Sequence, residues 1–266
     1  MLPRMNAVRH IAIACARDCS RRGSLILLLL VGVALTLALR WLCAFALGEE
    51  LSLLEELGLS NLALGGALAA ILCAAPVNRA SAVAAADRAL TTRAIGPLTL
   101  PFARWLGGSL ILAGMTAVWL LALGIALAWF AADEPTLFSM SRETTVAREI
   151  PILISGALVV LFQSIMLAGL AVAAAARGGM VAAALAVLGV LVAGVLLPDA
   201  AAAKDAPVLL KALAFALPDL RLHFPAENLA GEAMIAGRLS GCALQALGYG
   251  VAAILCSGSL YARERT

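Results

Sequence analysis

The sequence is poor in charge: only 13% of its 266 residues are Asp, Glu, Lys or Arg, about half the share found in an ordinary soluble domain. Hydrophobic residues make up 63% of the chain, and the mean hydropathy is +1.01. A soluble fold of this size cannot bury so much apolar side chain, whereas a lipid bilayer accepts it. The composition therefore excludes the soluble globular classes and indicates an integral membrane protein.

Residues for catalysis and nucleotide binding are also scarce. The only lysines are Lys204 and Lys211, and no GxxxxGK[ST] sequence occurs, so the chain cannot bind ATP through a P-loop. The two histidines, His10 and His223, lie outside the apolar runs and leave no histidine for an intramembrane catalytic dyad. We therefore expect no enzyme activity, no metal site and no cofactor in this chain.

The six cysteines form no CxxC pair and are scattered along the chain. Most lie in or beside apolar runs, where a free cysteine behaves as a small hydrophobic residue. We interpret them as small apolar helix residues: Cys15, Cys19, Cys43, Cys73, Cys242 and Cys256.

Long apolar runs dominate the sequence. They are continuous in Leu, Ala and Val, without the alternation of barrel strands, and each is close to the roughly 20 residues that cross a bilayer as a helix. We predict an all-α polytopic transmembrane helix bundle, formed by residues 1–266 as a single domain. Only Arg177-Gly178-Gly179 separates the fourth run from the fifth, which predicts a tight helical hairpin there. The six predicted spans lie near 24–47, 58–78, 103–131, 151–176, 179–198 and 237–261.

The basic residues indicate how the bundle is oriented. With the N-terminus inside, twelve Lys and Arg fall in inside segments and six in outside segments, while Arg40 lies within the first span. The acidic residues are distributed the other way, three inside and thirteen outside. Because Lys and Arg favour cytoplasmic loops, both termini are predicted to be cytoplasmic.

Residues 1–23 are predicted to form a cytoplasmic amphipathic helix at the membrane interface, with its arginines near anionic headgroups. A frayed tail is the alternative. A cleaved signal peptide, with Ala44-Phe45-Ala46 as its cleavage site, is disfavoured because the basic region and the apolar run are both too long. The apolar face of the helix carries Val8, Ile11, Ala12, Cys15 and Cys19, and Arg9, His10 and Arg17 lie elsewhere on its wheel.

Two of the predicted loops have a composition that indicates short helices. The basic loop 79–102 is predicted to be cytoplasmic and to contain a short helix at 80–90. The longest outer loop, 199–236, contains an apolar run at 208–217 that is too short to span and predicts an interfacial or re-entrant helix.

Three polar residues lie inside the predicted spans. Arg40 is about 22 Å along the first helix, near the outer surface, where it either anchors the helix by snorkelling or faces a cavity. Gln163 and Gln245 are predicted to hydrogen-bond between helices or to contact a substrate. The chain therefore resembles the body of a transporter without an energy source of its own.

Motifs along the chain are similar to those of a known family. The segment 85–108, AADRALTTRAIGPLTLPFARWLGG, contains an acidic-basic pair, a threonine, a proline turn and a basic residue with glycine before the third span. The outer segment 216–224, ALPDLRLHF, is similar to a Leu-Pro-Asn-Leu-x-x-Phe element. With the six-span layout, these features resemble type-2 ABC transporter permeases, in the short branch associated with multicopper-enzyme maturation and antibiotic export.

The resemblance implies a permease subunit, working as an exporter in the bacterial cytoplasmic (inner) membrane. It implies that segment 80–95 docks on a separate ABC ATP-binding subunit, which would bind ATP and magnesium, and that a second permease chain, identical or related, completes the transporter. No nucleic acid is expected as a partner. The alternative function is a non-transporting membrane scaffold or assembly factor, and the alternative role of the loop arginines is simple anchoring. The implied coupling residues are Arg79, Asp87, Arg88, Thr92 and Arg93.

Overall fold

The computed structural model of the chain describes residues 2–43, 50–74, 98–133, 142–203, 207–216 and 232–263. Nearly all residues in these ranges are helical, and none of them forms a β-strand, which confirms the predicted all-α class. Seven helices follow one another: α1 (Leu2–Ser20), α2 (Gly23–Cys43), α3 (Glu50–Ala74), α4 (Thr99–Asp133), α5 (Arg142–Ala202), α6 (Val208–Ala216) and α7 (Glu232–Arg263).

Six helical segments are long and apolar enough to cross a membrane, which indicates a multi-pass membrane protein and agrees with the predicted number of spans. The second span begins earlier than predicted because the turn that carries Glu55 and Glu56 continues helix α3. Helix α5 contains the fourth and fifth spans. The six segments are Gly23–Cys43, Leu53–Ala74, Thr99–Trp129, Leu153–Ala176, Gly178–Ala202 and Leu239–Cys256.

A break at Gly179 separates the fourth span from the fifth. Gly179 has φ 65° and ψ −152°, a backbone conformation that is not helical and that residues with a Cβ rarely adopt. The structure thus separates the two spans within the predicted Arg177-Gly178-Gly179 link, at a residue whose conformation favours glycine, while the tight hairpin stays a prediction.

Contacts between helices show which ends of the spans lie together. Arg22, just before α2, reaches the carbonyl of Leu72 near the end of α3, while α1 packs against Gly107 near the start of α4. At the opposite end, Arg40 of α2 lies over Trp129 of α4. Helices α2 and α4 therefore run in one direction and α3 in the other. We call the two ends of the bundle the α1 end and the opposite end.

The spans differ in how deeply they are enclosed. In the second and fourth spans 56% of the most apolar window is buried, against 17% in the first and fifth. Helix α3 and the fourth-span part of α5 therefore supply the centre of the bundle. The first and fifth spans turn leucine-rich surfaces outward, as expected of helices that face lipid tails.

Candidate functional site

Trp119 joins the first three spans near mid-bundle. Its side chain is 1% exposed, and its indole Nε1 donates a hydrogen bond to the carbonyl of Leu29 at 3.1 Å. The ring lies directly against Gly32 of α2 and Gly65 of α3, where a Cβ atom would come within 2.6 Å and 2.5 Å of ring carbons. The two glycines thus form a slot that no side chain can share with the indole.

A small polar network lies beside this slot. Asn61 of α3 donates through Nδ2 to the carbonyl of Gly32 at 3.0 Å and to Thr36 Oγ1 at 2.9 Å. Thr36 in turn donates to the same Gly32 carbonyl at 2.8 Å. The network ties α2 to α3 and satisfies polar groups that lipid could not solvate.

Trp105 forms a second junction, closer to the α1 end. Its Nε1 donates to the carbonyl of Ile165 at 2.9 Å, and its ring lies against Gly250 of α7. Gly169 of the fourth span approaches the same place so closely that a Cβ there would lie 2.9 Å from the Gly250 Cα. Helices α4, α5 and α7 therefore meet at one tryptophan between two glycines.

The α1 end contains the densest group of polar side chains in the described part of the chain. The Arg22 guanidinium donates through Nη1 to the Leu72 carbonyl at 2.8 Å and pairs through Nη2 with Asp18 at 3.2 Å. The Cys19 thiol lies beside it and donates to the Cys73 carbonyl at 4.0 Å. We call these residues, with Arg104 of α4, the α1-end cluster. The cluster lies beside the last turn of α3 and the first turns of α4.

Charges around Cys19 favour its thiolate. Contact with the Cys73 thiol lowers the pKa of the Cys19 thiol, and the positive charges of Arg22 and Arg104 lower it further. Burial and the Asp18 carboxylate oppose this shift, and the net result is a pKa below the usual cysteine value. A larger fraction of Cys19 is therefore thiolate at neutral pH than of a cysteine with the usual pKa.

Helix α1 has the predicted amphipathic arrangement. Ala12 and Cys19 are buried, and Arg9, His10 and Arg17 are exposed. The predicted apolar face packs against the bundle at Gly107, so residues 2–20 are a docked helix and the frayed-tail alternative is wrong. The position of α1 at the membrane interface stays a prediction.

The three predicted polar span residues lie on different helices. The Arg40 guanidinium carbon is 4.1 Å from the centroid of the Trp129 ring, at the opposite end of the bundle. Gln163 is only 2% exposed, and its neighbour Ser164 abuts Gly66 at the level of the Trp119 slot. Trp129 is ten residues, about 15 Å, beyond Trp119. Arg40 and Gln163 therefore do not form one cluster.

Gln245 lies on α7 and is half-buried. Its Oε1 is buried and accepts no hydrogen bond within the described ranges. The predicted interhelical or substrate contact of Gln245 stays a prediction.

The predicted coupling residues, Arg79, Asp87, Arg88, Thr92 and Arg93, lie outside the described residues, as does the predicted short helix at 80–90. The apolar run of the predicted outer loop is helical, as α6 (Val208–Ala216), while its interfacial or re-entrant placement stays a prediction; residues 217–231 lie outside the described ranges.

Several residues at these junctions were not predicted. The sequence does not distinguish Arg22 from the other arginines predicted to lie inside. It likewise indicates only apolar helix residues at Cys19 and Cys73. The adjacent glycines Gly65-Gly66, in a helix that also contains Gly58 and several alanines, are a sequence signal for close helix packing. No family model matches the chain, and no curated protein matches it significantly.

Proposed function

We propose that the chain is the membrane-spanning permease subunit of an ABC transporter, an exporter powered by a separate ATP-binding subunit. Both termini and segment 79–102 would face the cytoplasm of a bacterial cell. The six membrane-spanning helices, together with the lack of a P-loop, support a transport body that depends on a partner for energy.

The observation that carries this proposal is the set of contacts that join α1, α3 and α4 at the α1 end. Segment 75–97 contains three arginines, and the described helix ends on either side of it, those of α3 and α4, both lie at the α1 end. A force applied to that segment would reach α3 and α4 through the chain itself, and would pass to α2 through the Arg22–Leu72 bond and to α1 through its contact with α4. A rigid-body movement of packed helices is the usual way such a force is transmitted.

Charge reversal in the loop tests the coupling. Changing Arg88 and Arg93 to glutamate is expected to lower transport-coupled ATPase activity at least about tenfold in liposomes that contain the complex, equivalent to about 1.4 kcal/mol. The matched control is Arg9→Glu with Arg17→Glu, which makes the same charge change on the exposed face of α1 and is expected to leave coupling nearly unchanged.

Gentle purification of the tagged chain provides the decisive measurement. Recovery of an ABC ATPase subunit with the wild-type chain, and its loss with the loop double variant, would support the proposal. Recovery of the chain without any ATPase would favour the scaffold or assembly-factor alternative. Equal coupling in both double variants would refute the docking role of the loop.

Accessibility labelling tests the proposed orientation. In a background without the six native cysteines, Arg88→Cys is expected to react with an impermeant maleimide only after the cells are opened, because segment 79–102 would be cytoplasmic. Glu134→Cys, in the next loop, is expected to react in intact cells. Labelling of both positions from the same side would rule out the six-span topology.

A further inference from the structure

Cys19 and Cys73 form a pair across two separate helices. They are 54 residues apart in sequence, one near the end of α1 and the other near the end of α3, and the Cys19 thiol donates to the Cys73 carbonyl. Cys19 is 4% exposed, and Cys73 is half-buried with its Cβ close to Gly108. The two thiols also contact each other, so helix packing brings both sulfurs to one place at the α1 end.

We propose that Cys19 and Cys73 are a peroxide-responsive thiol pair that forms a reversible disulfide between α1 and α3. The proposal takes the α1 end to face the cytoplasm, as in the proposed function, but does not depend on what the protein transports. Reversible pairs of this kind are the form in which disulfides occur in reducing compartments.

The two cysteines have different roles in the reaction. The Cys19 thiolate attacks a peroxide: the new S–O bond forms, the O–O bond breaks, and the departing oxygen takes up a proton and leaves as water. Cys19 is oxidised by two electrons to a sulfenic acid, and the peroxide is reduced. The sulfur of Cys73 then attacks the Cys19 sulfur, the S–O bond breaks, and the hydroxyl leaves with the Cys73 proton as a second water.

The groups around Cys19 explain why it is the attacking residue. Arg22 and Arg104 supply positive charge, from the α1–α2 link and from α4, and Asp18 on α1 itself opposes them. Arg22 is held in place by its bonds to the Leu72 carbonyl and to Asp18. The rate of oxidation should therefore rise with pH as the Cys19 thiolate forms, since the thiolate is the reactive species.

Oxidation would change how firmly α1 is attached to α3. In the reduced protein α1 is held to the end of α3 by the Arg22–Leu72 bond and the weak thiol contact. A disulfide would make this link covalent in the last turn of α3. Cys73 is one residue before Ala74, which ends α3 and precedes segment 75–97. The α1 end would then be fixed in one arrangement until a thiol reductant restored both cysteines.

The test uses the full chain in lipid nanodiscs, treated with hydrogen peroxide and then with an alkylating reagent. Mass spectrometry of peptides is expected to show a Cys19–Cys73 disulfide that dithiothreitol reverses. Cys15 is the matched control because it lies on the same helix one turn earlier and is half-buried. Cys19 is expected to oxidise at least about tenfold faster than Cys15.

Variants separate the proposed roles. Cys73→Ser should leave Cys19 reactive but stop at sulfenic acid, which a dimedone probe would trap, whereas Cys19→Ser should abolish the disulfide and the fast phase. Arg22→Gln should slow oxidation several-fold at neutral pH and move the rate profile to higher pH, while Arg22→Lys should retain most of the rate. The proposal is overturned if Cys19 and Cys73 stay reduced, or if Cys19 goes to sulfenic acid in the wild type without forming the disulfide.

Discussion

Replacing Gly169 with alanine is expected to lower the free energy of unfolding by about 3 kcal/mol, the upper part of the usual range for overpacking a core. The added Cβ would lie 2.9 Å from the Gly250 Cα and 3.4 Å from both the Gly250 carbonyl oxygen and Trp105 Nε1. The nearest atom belongs to a helix backbone, so a change of rotamer cannot relieve the contact. Helix α7 has to move away from α5, and the packing around Trp105 is lost with it.

The matched control is Gly248→Ala on α7, two residues from Gly250, where an added Cβ meets nothing within 4 Å. Alanine there should be neutral or stabilise the protein by up to about 1 kcal/mol, because it favours the helix over the unfolded chain. Both variants can be compared by unfolding in mixed micelles, with hydrogen exchange of α7 as a local readout. Equal stabilities for Gly169→Ala and Gly248→Ala would contradict the close approach of α5 and α7.

Replacing Gly65 with alanine is expected to cost about 2 kcal/mol of unfolding free energy. The Cβ would lie 2.5 Å from Cη2 of Trp119, whose indole is held on its other side by Gly32 and by the hydrogen bond to Leu29. The indole therefore has little freedom to move aside. The free energy of unfolding, measured in the same mixed micelles, gives the size of the effect.

A double-mutant cycle identifies the cause of that loss. Trp119→Phe removes the outer part of the ring, so the cost of Gly65→Ala should largely disappear in the Trp119→Phe background. Gly124→Ala on α4 serves as the control because its Cβ would meet nothing within 4 Å. If the cost of Gly65→Ala is unchanged in the Trp119→Phe background, the slot around Trp119 is not its origin.

The number of spans could be predicted from the sequence because it depends on length and hydropathy alone. The break at Gly179 and helix α6 were also predictable, the first from consecutive glycines after Arg177 and the second from an apolar run too short to span. Each of these features is decided locally, by properties of a single segment of chain.

The arrangement of the spans could not be predicted in the same way. A helix that is apolar on all sides has no strong polar face to show which side is buried. The contacts that decide it depend on size matching between distant residues, such as Trp119 with Gly32 and Gly65. The pairing of Cys19 with Cys73 depends on the same packing, since nothing in the spacing of 54 residues indicates it.

The four tryptophans fall into two pairs that differ in their exposure. Trp41 and Trp129, 64% and 46% exposed, lie toward the opposite end, where quenchers attached to lipid can reach them, whereas Trp105 and Trp119 are 5% and 1% exposed. The inner pair would therefore emit from two different helix junctions, Trp119 from that of α2, α3 and α4 and Trp105 from that of α4, α5 and α7. Fluorescence of variants that keep only Trp105 or only Trp119 can thus distinguish a movement of α7 from a movement of α2 without attaching a dye.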